Sequence, residues 1–283
     1  MKFAIYIPNF GDDYANVRLV AEVAHEAEAA GWDGFFIWDH IGENWGQLSV
    51  SDPTVMLTAI ALQTKTIRIG PLVTPIPRRR PWKLAREIAT LDQITEGRMI
   101  LGVGIGGGRE YTAYKELGDD KIHGEMLDES IEVLVHLWSG QQANFEGRYY
   151  ELQDVLHLPR PVQQPRVPLW VAGRWPNKKP MRRAARWDGV FPLGKHLQLN
   201  EQMSYTAIRD CLDYIKSQQS DHSSHPYDVI HLGLLSGKDP ALDVAMIEPY
   251  ADAGVTWWLE NMNWERGSLQ EQRARIRKGP PRL

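Results

Sequence analysis

Cysteine is almost missing from this chain: Cys211 stands alone among 283 residues. A lone thiol excludes an intramolecular disulfide framework. The strand-like Lys2–Pro8 follows the first methionine directly, without a leader-like stretch. Both features set the expectation of a reducing cytoplasm. Long apolar runs are missing too, and none approaches the roughly 20 residues that a membrane-spanning helix needs. Neither charge sign is in excess, with 32 Lys and Arg against 36 Asp and Glu and a formal net charge of −4. Nucleic acid and anionic membrane surfaces are therefore not expected as partners.

What is present is an ordinary globular composition, 43% hydrophobic and 24% charged, with an unusual eleven tryptophans. Several of these fall near strand ends, where aromatics commonly line apolar pockets. The chain is organised around Gly34-Phe-Phe-Ile-Trp-Asp-His40. Such an apolar run, bounded by glycine, reads as a strand buried on both faces. It ends in an ionisable pair, which places Asp39 and His40 at the carboxyl edge of a sheet, where α/β proteins keep their chemistry. A capping aspartate and a satisfied surface histidine are the other reading of the pair.

The arrangement repeats along the chain. Strand-like segments at Phe3–Pro8, Phe35–Asp39, Ile67–Thr74, Met99–Ile105, Leu169–Ala172, Gly189–Leu193, Val229–Leu235 and Thr256–Glu260 are each followed by a helical pattern. Val17, Val20, Ala21, Ala24 and Ala27 share one face of the first helix, and Gly31 ends it. Ser51-Asp52-Pro53 opens the second, Pro81 the third. The rhythm breaks at about residues 143–168, where Phe145–Tyr150 suggests a hairpin and four prolines an irregular excursion. Ser217–His225 reads as a flexible connection. Eight βα units in this length predict one (β/α)₈ TIM barrel over residues 1–283, with a short insertion after the fourth unit.

In such a barrel the residues just past each strand meet on one face. They are Asn9, Asp39-His40, Thr74, Gly104–Gly107, Gly173-Arg174, Pro192, Leu235 and Glu260. No paired carboxylates, His-x-His or strand-end lysine occur in this set, which disfavours a glycosidase, a metal-dependent amidohydrolase and a Schiff-base aldolase. No metal is expected. The set suits a planar molecule with an anionic tail. Gly102–Gly107 matches the dinucleotide fingerprint literally, but on a fourth strand. Its glycines either let a phosphate approach the backbone or make a tight turn. Arg174 can fork onto phosphate. Arg78-Arg79-Arg80 is either a third anion site or a solvated face.

Trp38-Asp39-His40, Arg68–Pro81, Leu84–Asp92, Gly97–Gly106, Leu127–Leu134 and the late Val-Ala-Gly-Arg and Arg-Trp-Asp-Gly-Val segments together resemble the luciferase-like oxidoreductases. That superfamily includes flavin monooxygenases and enzymes of the deazaflavin coenzyme F420. The resemblance implies a (β/α)₈ barrel and a flavin-type oxidoreductase acting on a small organic substrate, with FMN or F420 undecided. It implies His40 beside the coenzyme ring, Asp39 alongside, and a backbone bulge at Leu72, Val73 and Thr74 that presses on the ring, often through a non-proline cis peptide. Gly104, Ile105, Gly106, Gly107, Gly173 and Arg174 would wall the ring's side chain and phosphate. Trp45 and Trp175 would shape the substrate pocket or anchor loops. The F420-dependent sugar-phosphate dehydrogenases carry a glutamate just after the fourth-strand glycines; here Gly106-Gly107-Gly108 stands, with Glu110 nearby. A separate flavin reductase and a homo-oligomer are the expected associations. The alternative is a non-catalytic flavin-binding or accessory barrel subunit.

Overall fold

The computed structural model describes residues 1–42, 48–219 and 226–282. Its strands are β1 (Lys2–Ile7), β2 (Gly34–Ile37), β3 (Arg68–Pro71), β4 (Thr74–Pro75), β5 (Leu101–Gly104), β6 (Gln142–Glu146), β7 (Glu151–Leu156), β8 (Leu169–Trp175), β9 (Gly189–Gly194), β10 (Asp228–Gly233) and β11 (Trp257–Asn261). The helices are α1 (Val17–Ala29), α2 (Pro53–Gln63), α3 (Pro81–Ile94), α4 (Gly108–Ala113), α5 (Asp120–Trp138), α6 (Lys178–Ala184), α7 (Tyr205–Lys216), α8 (Pro240–Asp252) and α9 (Leu269–Arg277).

Nine strands form one sheet in the order β3-β2-β1-β11-β10-β9-β8-β5-β4. Every pairing in it is parallel. Its two edges, β3 and β4, are halves of one stretch of chain. A bridge from Ile69 to Met99 helps join the ends into an eight-staved barrel. The third strand expected over Ile67–Thr74 is thus broken at its centre. Pro71 and Pro75 have no N–H to give a ladder, and the Leu72–Val73 peptide is cis.

Two apolar layers explain the strands' near-continuous hydrophobicity. Ala4, Tyr6, Phe36, Leu72, Ile100, Trp170, Phe191, Ile230, Trp257 and Leu259 pack together. The alternate residues Phe3, Ile5, Ile7, Phe35 and Ile37 belong to a larger cluster with α1 and α2. A strand whose two faces are both covered has no polar side to show. Phe36, Trp170 and Trp257 stack within 5.2–5.9 Å of one another. Asp228 accepts from both indole nitrogens at 3.1 Å. These two tryptophans fill the barrel rather than line a pocket.

Helix starts follow local chemistry. The Asp52 side chain accepts from the Val55 amide with Pro53 just inside, and Ser268 with Glu271 forms a capping box at α9. Helix α7 begins at Tyr205, later than the Glu201 expected, because Ser204 caps it. The insertion contains the antiparallel hairpin β6–β7. Glu129 of α5 fastens its turn by accepting the amides of Arg148, Tyr149 and Tyr150 at 2.8–3.2 Å. The connection expected at Ser217–His225 lies largely outside the described residues.

Candidate active site

The loop ends of β1 and β2 are joined by one buried side chain. Asn9 donates to the carbonyls of His40 at 2.8 Å and Ser51 at 2.7 Å, and accepts from the His40 amide at 3.1 Å. His40 is held edge-on to Phe10, with ring centroids 5.2 Å apart, and lies 5.7 Å from Trp38. Its side chain is 29% exposed.

Behind His40 runs a chain of alternating charge. His40 Nδ1 lies 3.3 Å from Glu110 Oε1. Arg78 donates to Glu110 Oε2 at 2.5 Å and to Asp39 Oδ1 at 3.1 Å. Arg79 donates to both Asp39 oxygens at 2.7–2.8 Å. The Ile41 and Gly42 amides also donate to Glu110 Oε1, at 3.0 and 3.2 Å. Burial pulls the Glu110 carboxyl upward. The hydrogen bond from His40, the charges of His40 and Arg78 and the Gly42 amide outweigh it and hold the group at about 2. Burial likewise disfavours the Arg79 cation, but Asp39 more than offsets it and raises the guanidinium's pKa.

Asp39, expected to act alongside His40, instead gives its carboxylate to Arg78 and Arg79. Among the described residues, Glu110 is the acid that His40 meets. The expectation of an anion site at Arg78-Arg79-Arg80 fails for the first two: their side chains are 3% and 18% exposed and already neutralised.

These groups edge a cavity of about 1580 Å³ at the carboxyl ends of the strands. Tyr6, Trp38, Leu72 and Val73 line one wall, Gly104–Gly107, Ala172 and Gly173 another, and Phe191–Gly194 a third. Glycine is required on this wall: a Cβ on Gly104 would lie 2.8 Å from Val73 Cγ2, and Gly106 has φ +78°. Tyr6 donates its hydroxyl to the Leu72 carbonyl at 2.5 Å. Between α5 and α6 the cavity is rimmed by charge, including Lys178, Lys179 and Arg182 opposite Asp120, Glu125 and Asp128.

His40, Asp39, Leu72, Val73, Gly104, Ile105, Gly106, Gly107, Gly173 and Arg174 all line this cavity. Thr74 is buried and does not. Trp175 packs against Lys178, 3.9 Å from its ring, and Tyr214, and is absent from the lining. Trp45 lies outside the described residues. Sequence reasoning passed over Tyr6 and Trp264 as cavity residues, although both fall within three residues of a strand end. It named Glu110 as a nearby acid, to be tested next with Glu260, without pairing it with His40. Among the described residues no group of three or more His, Cys, Asp or Glu could hold a metal ion.

The model of the luciferase-like monooxygenases matches residues 1–206. The chain belongs to that family. The F420-dependent glucose-6-phosphate dehydrogenase of Kineococcus radiotolerans is 31% identical over 198 residues, which are 69% of this chain and 58% of that protein. The chain thus spans a little under three-fifths of that relative's length. An F420-dependent secondary alcohol dehydrogenase, solved with an F420–acetone adduct, superposes with a TM-score of 0.80 at 17% identity, over 99% of this chain and 98% of that one. The oxygenating constituent of 3,6-diketocamphane monooxygenase from Pseudomonas putida, solved with FMN, gives 0.76 at 16% identity, over 98% and 96%. These structural matches show the fold, and the expected (β/α)₈ barrel of the luciferase-like family stands.

Proposed function

We propose that this protein is an oxidoreductase that uses a flavin-type coenzyme, FMN or F420, on a small organic substrate. One observation carries the reading: His40, backed by a charge-balanced group of acids and arginines, faces the same cavity as the apolar Leu72–Val73 wall and the Gly104–Gly107 backbone. The cavity exceeds the roughly 300–1,000 Å³ of ordinary ligand sites, leaving space for coenzyme and substrate together.

Leu72, Val73, Ala172 and Gly104–Gly107 would hold the ring and its side chain, and exposed Arg174 the phosphate. When bound, the coenzyme supplies the redox step, taking or giving a hydride or, as a reduced flavin, meeting oxygen. His40 holds or takes a proton at the substrate's reacting oxygen. Phe10 and Trp38 shield that proton from bulk water by packing around the imidazole, and Trp264 packs on both of them. In an FMN mode a separate reductase would supply reduced coenzyme, in keeping with the solved diketocamphane protein being the oxygenating constituent of its monooxygenase. Residence in the cytoplasm and assembly as a homo-oligomer complete the reading. Among the described residues no helix is long and apolar enough to cross a membrane.

The test is a titration of the purified protein with FMN and with F420, each oxidised and reduced, followed by absorbance. One coenzyme should saturate the protein and be turned over with oxygen or a carbonyl or alcohol substrate. Saturation without any turnover would favour the accessory-subunit alternative, and no binding of either would overturn the reading.

A further inference from the structure

We infer that Glu110 is a positioning residue that locks His40 in the Nδ1–H tautomer, so that protons enter and leave the ring only at Nε2. The inference rests on the reading of His40 as the proton-handling group for its catalytic consequence, but its geometry stands apart from any coenzyme.

Glu110 is 4% exposed, and among the described residues its carboxylate meets the Ile41 and Gly42 amides and His40 Nδ1 at Oε1 and the Arg78 guanidinium at Oε2. A carboxylate met by a guanidinium and two amides stays ionised and can only accept hydrogen bonds. The imidazole nitrogen facing it must then carry a proton, and in the neutral ring the lone pair lies on Nε2. A histidine unconstrained in water favours the other tautomer, so the lock works against the ring's own preference.

The surrounding charges are set to keep this arrangement. Asp39 and Glu110 are matched by Arg78 and Arg79, so the group sums to zero with a neutral imidazole. Asp39, the neighbour of His40 in sequence, is occupied by both arginines. Phe10 and Trp38 bring no charge to the ring's faces. Glu110 sits at the start of α4, two residues beyond the glycine run, and therefore reaches His40 only because that run turns the chain back across the mouth of β2.

The test needs neither coenzyme nor substrate. Protein labelled with ¹⁵N in its histidines is titrated by NMR, and His40 is identified as the signal lost in His40→Asn. In the wild type the neutral ring should show Nδ1 protonated; an Nε2–H tautomer would overturn the inference without any variant having to fold. In Glu110→Ala the neutral ring should drift toward the Nε2–H form. A tautomer unchanged in Glu110→Ala would also overturn it. Failure here leaves the coenzyme titration untouched, so the two readings fall separately.

Discussion

Tyr6 of β1 reaches across the barrel and donates its hydroxyl to the Leu72 carbonyl at 2.5 Å. The hydroxyl is fully buried, and burial raises its pKa far above the usual phenol range, so it is always a donor here. The bond fixes the wall of the cavity from beneath, where β3 gives way to β4. Tyr6→Phe should leave a buried carbonyl without its partner and cost about 1–3 kcal/mol. Urea unfolding would measure the loss, and coenzyme affinity should weaken with it. Unchanged stability would mean that the carbonyl finds another donor.

Asp39 gives a sharper contrast. It is 4% exposed and meets two guanidiniums. Removing one partner of a buried ion pair typically costs about 3–5 kcal/mol, because the surviving charge is left uncompensated. Asp39→Ala should therefore show a large fall in the urea midpoint. A catalytic aspartate would behave the other way, with stability kept and turnover lost. The pair of measurements decides which kind of residue Asp39 is.

Glu110 should give stability its own pH dependence. Its folded-state value is depressed to about 2, from an ordinary 4.5. Between those values the unfolded chain binds more protons, so stability falls as pH falls. The contribution is present in full above the unfolded value and is lost as pH drops through about 2. The stability gap between wild type and Glu110→Gln should thus be constant above about pH 5 and narrow steadily toward about pH 2. Unfolding curves across that range would show it. A gap independent of pH would mean that the carboxylate is not held down by its partners.

How much of this was legible in the chain depends on the range of the interaction. Gly34–Ile37 announced a buried parallel strand because both of its faces are covered, and Asp52-Pro53 announced a helix start because capping is local. His40 was legible as a strand-end residue. Its partner was not, since nothing in residues 104–110 shows that the glycine run folds back over β2. The same holds for Arg78 and Arg79. A run of three arginines reads as a basic surface until Asp39 and Glu110, from two other units, are seen to neutralise it. Trp170 and Trp257 sit on strands, as expected of pocket aromatics, yet register places them inside the barrel beside Phe36, with Asp228 as their acceptor.

Arg174 stands at the rim with its side chain exposed, and among the described residues it makes a 3.4 Å contact to the Gly194 carbonyl. It is available to an anionic group of the coenzyme. Arg174→Ala should weaken binding of FMN or F420 by about tenfold or somewhat more, as for a lost charged hydrogen bond. Riboflavin, which has no phosphate, should bind the two proteins alike. Equal weakening of both ligands would show that the arginine shapes the wall and does not meet the phosphate. Trp175→Ala supplies a control, because that ring packs on Lys178 and Tyr214 and not in the cavity.

The reading of the site depends most on His40. If it carries a proton to or from the substrate's reacting oxygen, His40→Ala should lower kcat/KM by about 10²–10⁴-fold. Folding should survive, since the side chain is 29% exposed at the barrel mouth and its backbone is still held by Asn9. Glu110 would lose one donor but keep Arg78 and two amides, so the charge balance behind the site is preserved. Coenzyme affinity should change much less than the rate, because under the proposed reading the ring's contacts would come from Leu72, Val73 and the glycine backbone. His40→Asn separates two roles. An amide can hydrogen-bond to the reacting oxygen but cannot shuttle a proton, so partial recovery points to charge stabilisation and no recovery to proton transfer. Wild-type turnover in the alanine variant, with coenzyme bound, would remove His40 from the mechanism.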